Sequence, residues 1–207
     1  MAIFEFFKKN PHKGRPLPPA VVCAPVSGRV IPMEQVPDEA FASGAMGWCC
    51  GIVPSENTIR APFTGDIMQV ADTYHALGVD GDNGAQVVLH VGMDTAEMHG
   101  DGFRCFVRGG QPVQQGETLL EADFEKIRAT GHSDVVVVAV LNSDDFERAE
   151  LILNGPVAAG ASSACAGRRR ASEGLRPLLR QIPAGGREFA LRDYFEPILR
   201  FLEQVPW

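Results

Sequence analysis

One short phrase occurs twice in this sequence and limits the possible fold more than any other feature. In each copy, at residues 21–33 and 58–70, an Ala-Pro pair is followed three residues later by glycine, with apolar segments on both sides. A third glycine turn has Val113 and Leu119 flanking Gly116. Short strands that are joined by glycine turns at spacings of about ten residues are typical of a β-sandwich or a barrel. The pattern therefore predicts an all-β fold.

The rest of the pattern agrees with an all-β fold that has a few short helices. Residues 134–142, DVVVVAVLN, are a β-branched run that suits a strand buried on both faces. Residues 123–131 predict one short helix that ends at the glycine, and Asp144 and Asp145 predict the cap of another through residues 146–152. Aromatic residues make up only 8% of the chain, which favours short strands and turns over a helical bundle.

Composition divides the chain into three parts. Residues 1–20 contain a phenylalanine-rich start, three lysines and a proline-rich linker, and we expect residues 21–159 to form the folded domain. Residues 160–207 contain arginine but no lysine, and prolines interrupt their two weakly amphipathic segments, so we assign this basic tail no function. The first nine residues are compatible with an amphipathic helix at a membrane surface or with an end that docks on the domain.

Charge and cysteine usage narrow the classes of function. The formal net charge of -7 disfavours a nucleic-acid partner. Five cysteines form no CxxC pair, and the start does not have the pattern of a secretory signal, so we expect reduced thiols and a cytoplasmic location. No apolar run approaches the roughly 20 residues of a transmembrane helix. Any attachment to the inner face of the membrane is then expected to be peripheral.

His90 ends the apolar run QVVLH and is one candidate for chemistry. Strand alternation places Val87, Leu89 and Val91 on the core side, so we expect His90 to project outward from the sandwich. Gly92 follows two residues later. Because glycine has no side chain, an anionic group could approach its backbone and be held by N–H groups.

His75 is the second candidate. If residues 73–75 are extended, Thr73 shares a face with His75, and the threonine hydroxyl can fix the imidazole tautomer. A lone histidine is more often a hydrogen-bonded structural residue, so periodicity alone leaves the role of both candidates open. His12 and His132 are predicted to be solvated surface residues.

A longer stretch carries a resemblance to a known family. Residues 71–103, ADTYHALGVDGDNGAQVVLHVGMDTAEMHGDGF, combine a THA-like histidine segment with the HVGMDT run. The similarity extends through most of residues 21–158 and includes both Ala-Pro phrases. This region resembles the glucose-type IIA component of the bacterial phosphoenolpyruvate-dependent sugar phosphotransferase system.

The resemblance implies an antiparallel β-sandwich of duplicated hybrid-motif type and a phosphocarrier that needs neither a cofactor nor a metal. It implies that the carrier protein HPr phosphorylates His90, that His75 stabilises and transfers the phosphoryl group, and that Thr73 orients His75. Gly92 and Asp94 are expected to support the site. The phosphate would pass to a cysteine of a IIB domain, which phosphorylates sugar during transport by the membrane IIC domain. Regulated transporters and metabolic enzymes are further implied partners.

The sequence departs from the family pattern at several points. Tyr74 stands where close relatives often carry asparagine, and Ala71 and Val88 are smaller than the apolar residues that rim the family's active-site depression. We expect these changes to affect partner affinity more than chemistry. The closing strand that begins at Gly155 loses its apolar alternation near Gly160, which predicts an unpaired sheet edge.

Two other classes of protein share parts of the pattern. A biotinyl- or lipoyl-type carrier module has similar glycine turns, but the chain has no lysine at a hairpin tip in an MKM-like context. A zinc peptidase of related fold could use His75, His90 and Asp94 as ligands. Such peptidases normally need an HxH pair on one strand, and here position 88 is Val88.

Overall fold

The computed structural model describes residues 20–146 and 148–166 of the chain. The predictions for the N-terminal linker and for the segments beyond residue 166 therefore lie outside the described residues. No helix within these two ranges is long and apolar enough to cross a membrane.

Strands dominate the described residues. The strands are β1 Ala20–Cys23, β2 Gly28–Pro32, β3 Trp48–Pro54, β4 Thr58–Arg60, β5 Gly65–Val70, β6 Ala76–Gly81, β7 Gln86–Val91, β8 Phe103–Cys105, β9 Pro112–Val113, β10 Thr118–Ala122, β11 Val136–Val140, β12 Ala149–Leu151, β13 Gly155–Val157 and β14 Ser162–Ala166. The helices are α1 Glu39–Ala42 and α2 Phe124–Ala129, and the 3-10 turns are Met33–Gln35, Thr95–Met98 and Ser143–Asp145.

Antiparallel pairing joins these strands into three sheets. The largest sheet has the order β13-β2-β3-β11-β7-β6-β5-β9, and the smaller sheets have the orders β1-β14-β12 and β4-β10-β8. In both copies of the repeated phrase, the strand before the glycine turn joins a small sheet and the strand after it joins the large sheet. The structure confirms the predicted all-β sandwich, and the two copies of the phrase occupy equivalent positions in it.

The valine-rich strand β11 lies in the middle of the large sheet, between β3 and β7. All five of its residues are buried, because both faces of the sheet are covered at this point. Val136, Val138 and Val140 belong to the main core, whereas Val137 and Ala139 belong to a second apolar cluster on the opposite face. A strand that is covered on both sides needs apolar residues at every position, which is the pattern that predicted it.

The second cluster covers the face of the large sheet opposite the main core, and helix α1 contributes to this cluster. Asp38 caps this helix by accepting a hydrogen bond of 3.0 Å from the backbone N–H of Phe41. The Phe41 side chain is buried in the cluster beside Cys49, and the Cys49 thiol donates to the Phe41 carbonyl. Truncating a buried phenylalanine typically destabilises a protein by about 3–5 kcal/mol, so this contact is a strong anchor for the helix.

One of the two predicted helices is confirmed and the other is wrong. Helix α2 begins after its cap Asp123 and ends just before Gly131, which has a φ of 90°. After Asp144 and Asp145 the chain does not continue as a helix but enters strand β12. Because β12 pairs with β14, sheet hydrogen bonds outweigh the local helix signal there.

The expected loss of the closing strand is also wrong. Strand β13 pairs with β2, and β14 pairs with both β1 and β12. Backbone groups make these hydrogen bonds, and they do not require apolar side chains, so the missing apolar alternation was a poor guide. The predicted domain boundary at residue 159 falls before β14, so the paired strands continue at least to Ala166.

Candidate histidine pair site

Strand pairing brings the two candidate histidines together. Ala76, at the start of β6, pairs with His90 of β7, and His75 directly precedes Ala76. The His75 carbonyl accepts a hydrogen bond of 2.7 Å from the Val91 N–H, which fixes the backbone at this point. The two imidazole centroids lie 5.0 Å apart with the ring planes at 76°. The sheet therefore presents both rings in one small volume.

The tautomer of His90 is set by Gly92. Nδ1 of His90 lies 2.7 Å from the Gly92 carbonyl oxygen. A carbonyl can only accept, so Nδ1 carries the hydrogen and the neutral ring keeps its lone pair on Nε2. Burial lowers the pKa of His90 from 6.5 to about 4, although the hydrogen bond to Gly92 opposes this effect. Near neutral pH, Nε2 of His90 is therefore an unprotonated nucleophile.

The predicted face of His90 is confirmed, but its predicted exposure is wrong. Val87, Leu89 and Val91 belong to the main core, and His90 lies on the opposite face. That face is covered, so only 5% of the His90 surface is exposed. The Phe41 ring packs edge-on against the imidazole, with 5.4 Å between centroids. No local signal indicated this contact, because helix α1 lies far from His90 in the sequence.

Gly92 has a different role from the one predicted. Its N–H donates to the Val135 carbonyl at 3.0 Å, so this group is already paired and is not free to hold an anion. Its φ is 76°, and an added Cβ would lie 2.5 Å from Cγ2 of Thr95 and 2.9 Å from the Ser133 carbonyl oxygen. Glycine is required because the turn leaves no room for a side chain, and its carbonyl then orients His90.

Thr95 is a supporting residue that the sequence patterns did not single out. It is fully buried, and its hydroxyl donates to the Val91 carbonyl at 2.7 Å. This hydrogen bond closes the turn that follows β7 and contains Gly92. The HVGMDT run contains Thr95, so the resemblance pointed to the segment without separating the threonine from its neighbours.

The predicted contact between Thr73 and His75 is present, although its predicted geometry is wrong. Oγ1 of Thr73 lies 2.5 Å from Nδ1 of His75. The segment is not extended, because the intervening Tyr74 has a left-handed φ of 60°. Burial, and then the neighbouring His90, lower the pKa of His75 from 6.5 to about 3. His75 Nε2 is buried and has no hydrogen-bond partner among the described residues.

Asp94 is not among the groups that shift the pKa of His75 or His90. It precedes the 3-10 turn Thr95–Met98, and its carboxylate does not cap that turn. Burial raises the pKa of Asp94, His132 opposes the shift, and the nearby carboxylates of Glu97 and Asp38 raise it further. The carboxylates of Glu97 and Asp38 therefore lie near Asp94, which follows His90 by four residues. Asp38, on the segment before α1, was not predicted as part of this group.

The other predicted features can be placed as well. Ala71 and Val88 are buried, with 6% and 4% exposure, whereas 42% of the Tyr74 surface is exposed. Of these three departures from the family pattern, Tyr74 is therefore the one presented to solvent. Within residues 20–146 and 148–166, no group of three or more His, Cys, Asp or Glu side chains has the arrangement of a metal site.

This chain is similar to known proteins over about two thirds of its length. It is 39% identical over 137 residues to the N-acetylglucosamine-specific EIICBA component of a phosphotransferase system from Klebsiella pneumoniae. It is 42% identical over 125 residues to the raffinose carrier protein of Pediococcus pentosaceus. These matches cover 66% and 60% of this chain but only 21% and 20% of the two relatives, so the chain matches about a fifth of their length.

A solved structure and a protein family also match this chain. The glucose permease IIA from Mycoplasma capricolum superposes with a TM-score of 0.64 and 28% identity, over 71% of this chain and 95% of that chain. Residues 20–146 match the family described as phosphoenolpyruvate-dependent sugar phosphotransferase system, EIIA 1. This range contains both histidines, Thr73, Gly92 and Asp94. The chain therefore belongs to the EIIA 1 family of the phosphoenolpyruvate-dependent sugar phosphotransferase system.

Proposed function

We propose that this chain is a phosphocarrier that takes a phosphoryl group from phospho-HPr on Nε2 of His90 and passes it to the cysteine of a IIB domain. The contact between His90 Nδ1 and the Gly92 carbonyl carries the proposal, because it leaves Nε2 as the unprotonated nitrogen. The neighbouring His75 supports it, because a buried polar nitrogen without a partner is suited to receive a bound group.

The transfer needs two displacements at phosphorus. The lone pair on His90 Nε2 forms a bond to phosphorus as the P–N bond of the donor histidine breaks and its electrons return to the donor ring. In the second step a IIB thiolate attacks the same phosphorus, and the electrons of the His90 P–N bond return to Nε2. The protein mainly positions the partners and stabilises the charge on the moving group.

His75 is proposed to hold the phosphoryl oxygen. If the Thr73 hydroxyl donates to Nδ1 of His75, Nε2 carries the hydrogen and can donate to an anionic oxygen. The lowered pKa of His75 keeps the ring neutral before phosphate arrives. The charge of the phosphoryl group then strengthens this hydrogen bond during transfer.

The charge around the site favours a basic partner. Asp38 and Glu97 lie close enough to Asp94 for their carboxylates to raise its pKa. A donor or acceptor with positive side chains around its reactive residue would be attracted to this surface, and those side chains would offset the repulsion between the carboxylates and the phosphoryl group. This preference agrees with a carrier that exchanges phosphate with separate proteins in the cytoplasm.

The sugar is proposed to be selected outside this domain. The two relatives are named for N-acetylglucosamine and for raffinose, yet their identity to this chain is similar, at 39% over 137 residues and 42% over 125 residues. We infer that the membrane IIC component, and not the histidine site, distinguishes one sugar from another.

Labelling with radioactive phosphoenolpyruvate, enzyme I and HPr tests phosphate acceptance. The parent should gain one acid-labile phosphate, and His90→Gln should gain none. His12→Gln is the matched control, because His12 lies outside the residues that match the family. Labelling of His90→Gln at the parental level would contradict the proposal.

A second variant separates acceptance from delivery. His75→Gln should still be labelled on His90, but it should pass the phosphate to a purified IIB domain at least about tenfold more slowly. Single-turnover mixing of the prelabelled protein with IIB measures that step. Equal rates for variant and parent would show that His75 has only a structural role.

A further inference from the structure

Among the described residues, left-handed backbone conformations outside glycine occur in the segments that contain or follow the two histidines. Among the described residues, three that are not glycine have a positive φ, namely Tyr74 at 60°, Asp94 at 59° and His99 at 52°. Tyr74 lies between Thr73 and His75, and Asp94 follows His90 by four residues. Such conformations are strained for side chains other than glycine, and they persist where the surrounding structure enforces them.

Tyr74 is the least expected of the three. Aspartate and histidine are enriched in the left-handed region, whereas a bulky aromatic residue is not. Its ring does not compensate by burial, because 42% of the Tyr74 surface is exposed. The described contacts include no hydrogen bond from its hydroxyl. The side chain therefore gives no evident reason for the conformation, and the explanation lies in what the backbone does.

The left-handed residue closes the turn that joins Thr73 to His75. The Tyr74 N–H donates to the Ala71 carbonyl at 2.9 Å, and the Ala71 N–H donates to the Ala76 carbonyl at 2.8 Å. In this turn, Oγ1 of Thr73 lies 2.5 Å from Nδ1 of His75.

A second segment supports this turn from the side. Gly100, with a φ of 85°, comes directly after the left-handed His99. A Cβ added at Gly100 would lie 3.7 Å from the Thr73 carbonyl oxygen and 3.8 Å from Cδ2 of Tyr74. The turn thus packs against the segment that follows His90, and the two strained segments contact each other beside the rings.

We propose that Tyr74 is a positioning residue for His75, which acts through its left-handed backbone and not through its phenol. That backbone holds the Thr73 hydroxyl on Nδ1 of His75, which fixes the tautomer and reserves Nε2 for the phosphoryl group. The expected effect of Tyr74 on phosphate transfer rests on the proposed phosphocarrier function. The expected effect of the residue 74 backbone on the tautomer of His75 does not depend on that function.

Three substitutions of Tyr74 separate the backbone from the side chain. Tyr74→Phe removes only the hydroxyl. Tyr74→Asn removes the ring but tolerates the left-handed conformation, and Tyr74→Val removes the ring and opposes that conformation because valine is β-branched. Nitrogen-15 NMR of the histidine rings in the unphosphorylated protein reports which nitrogen of His75 carries the hydrogen.

We expect the NMR spectra of the parent, Tyr74→Phe and Tyr74→Asn to agree, and the spectrum of Tyr74→Val to differ from them. The first three should show one His75 tautomer, whereas Tyr74→Val should show a mixture or the other tautomer, with His90 unchanged. A parental His75 signal in Tyr74→Val would overturn the proposal, and so would a lost signal in Tyr74→Asn. If Tyr74→Val does not fold, Tyr74→Ala takes its place, because alanine also disfavours the left-handed region but with less crowding.

A kinetic measurement then tests whether Tyr74 affects phosphate transfer. Tyr74→Val should accept phosphate on His90 within twofold of the parental rate but deliver it to a IIB domain about tenfold more slowly, and Tyr74→Asn should restore delivery. Equal delivery by both variants would overturn the positioning role. If the parent itself accepts no phosphate, the proposed function fails, while the NMR comparison still decides the geometric inference.

Discussion

The carbonyl oxygen of Gly92 lies 2.7 Å from Nδ1 of His90, and this contact determines which nitrogen of the ring can react. Gly92 can approach so closely because it follows His90 by only two residues and adopts a φ of 76°. The turn is closed by Thr95, whose hydroxyl donates to the Val91 carbonyl. A backbone carbonyl thus gives His90 a fixed tautomer in an apolar setting.

Phosphorylation of His90 should occur on Nε2 and not on Nδ1. The Gly92 carbonyl occupies the Nδ1 hydrogen, so only Nε2 has a free lone pair. Phosphorus and nitrogen-15 NMR of the phosphorylated protein can identify the bonded nitrogen. A phosphoryl group on Nδ1 would require the contact with Gly92 to break and would contradict this prediction.

Acid should destabilise the protein through its two buried histidines. The pKa values of His75 and His90 fall from 6.5 to about 3 and about 4 in the folded state. Between pH 6.5 and 4 the unfolded chain therefore binds more protons than the folded chain, and the free energy of unfolding decreases as the pH falls. The expected loss is about 2 kcal/mol per histidine near pH 5. Denaturant unfolding at pH 7, 6 and 5 measures it.

Single histidine variants provide the control for that pH dependence. His75→Gln removes one of the two groups, so its stability should fall about half as much as that of the parent between pH 7 and pH 5. Every other titrating group is shared by both proteins. Identical slopes for parent and variant would show that the His75 pKa is not lowered by folding.

Gly92→Ala should be more disruptive than the same change at another left-handed glycine. Gly116 has a φ of 82° and nothing within 4 Å of an added Cβ, so Gly116→Ala isolates the backbone strain, about 1–2 kcal/mol. Gly92→Ala adds clashes with Thr95 and Ser133 and should lose at least about 1 kcal/mol more. Unfolding curves compare the two, and phosphate labelling should fall only in Gly92→Ala. Equal losses of stability would mean that the turn adapts.

Strand β14 should be required for stability. It pairs with β1 and β12, so a chain that ends after Ala161 loses both pairings and should be at least about 2 kcal/mol less stable than the full chain. A chain that ends after Ala166 keeps the strand and should retain HPr-dependent labelling. Equal melting temperatures for the two truncated chains would contradict the role of β14.

The sequence predicted the elements whose signals are local. The double Ala-Pro phrase predicted a strand on each side of each glycine turn, and the valine run predicted β11, because a strand covered on both faces needs apolar residues throughout. Helix α2 had its cap Asp123 and its terminal glycine within nine residues. The second predicted helix failed, because distant partners of β12 determined that segment.

The sequence alone determined the all-β class and which residues are candidates for chemistry, and through the resemblance it indicated the family. Only the tertiary structure decided how the site is built. Phe41 covers His90 from a distant helix, Gly92 offers its carbonyl instead of its N–H, and Tyr74 turns the chain so that Thr73 contacts His75. These relationships depend on packing and on backbone angles that many sequences with the same polarity pattern do not share. Residue periodicity fixes which face a side chain occupies, whereas packing between elements fixes what it contacts.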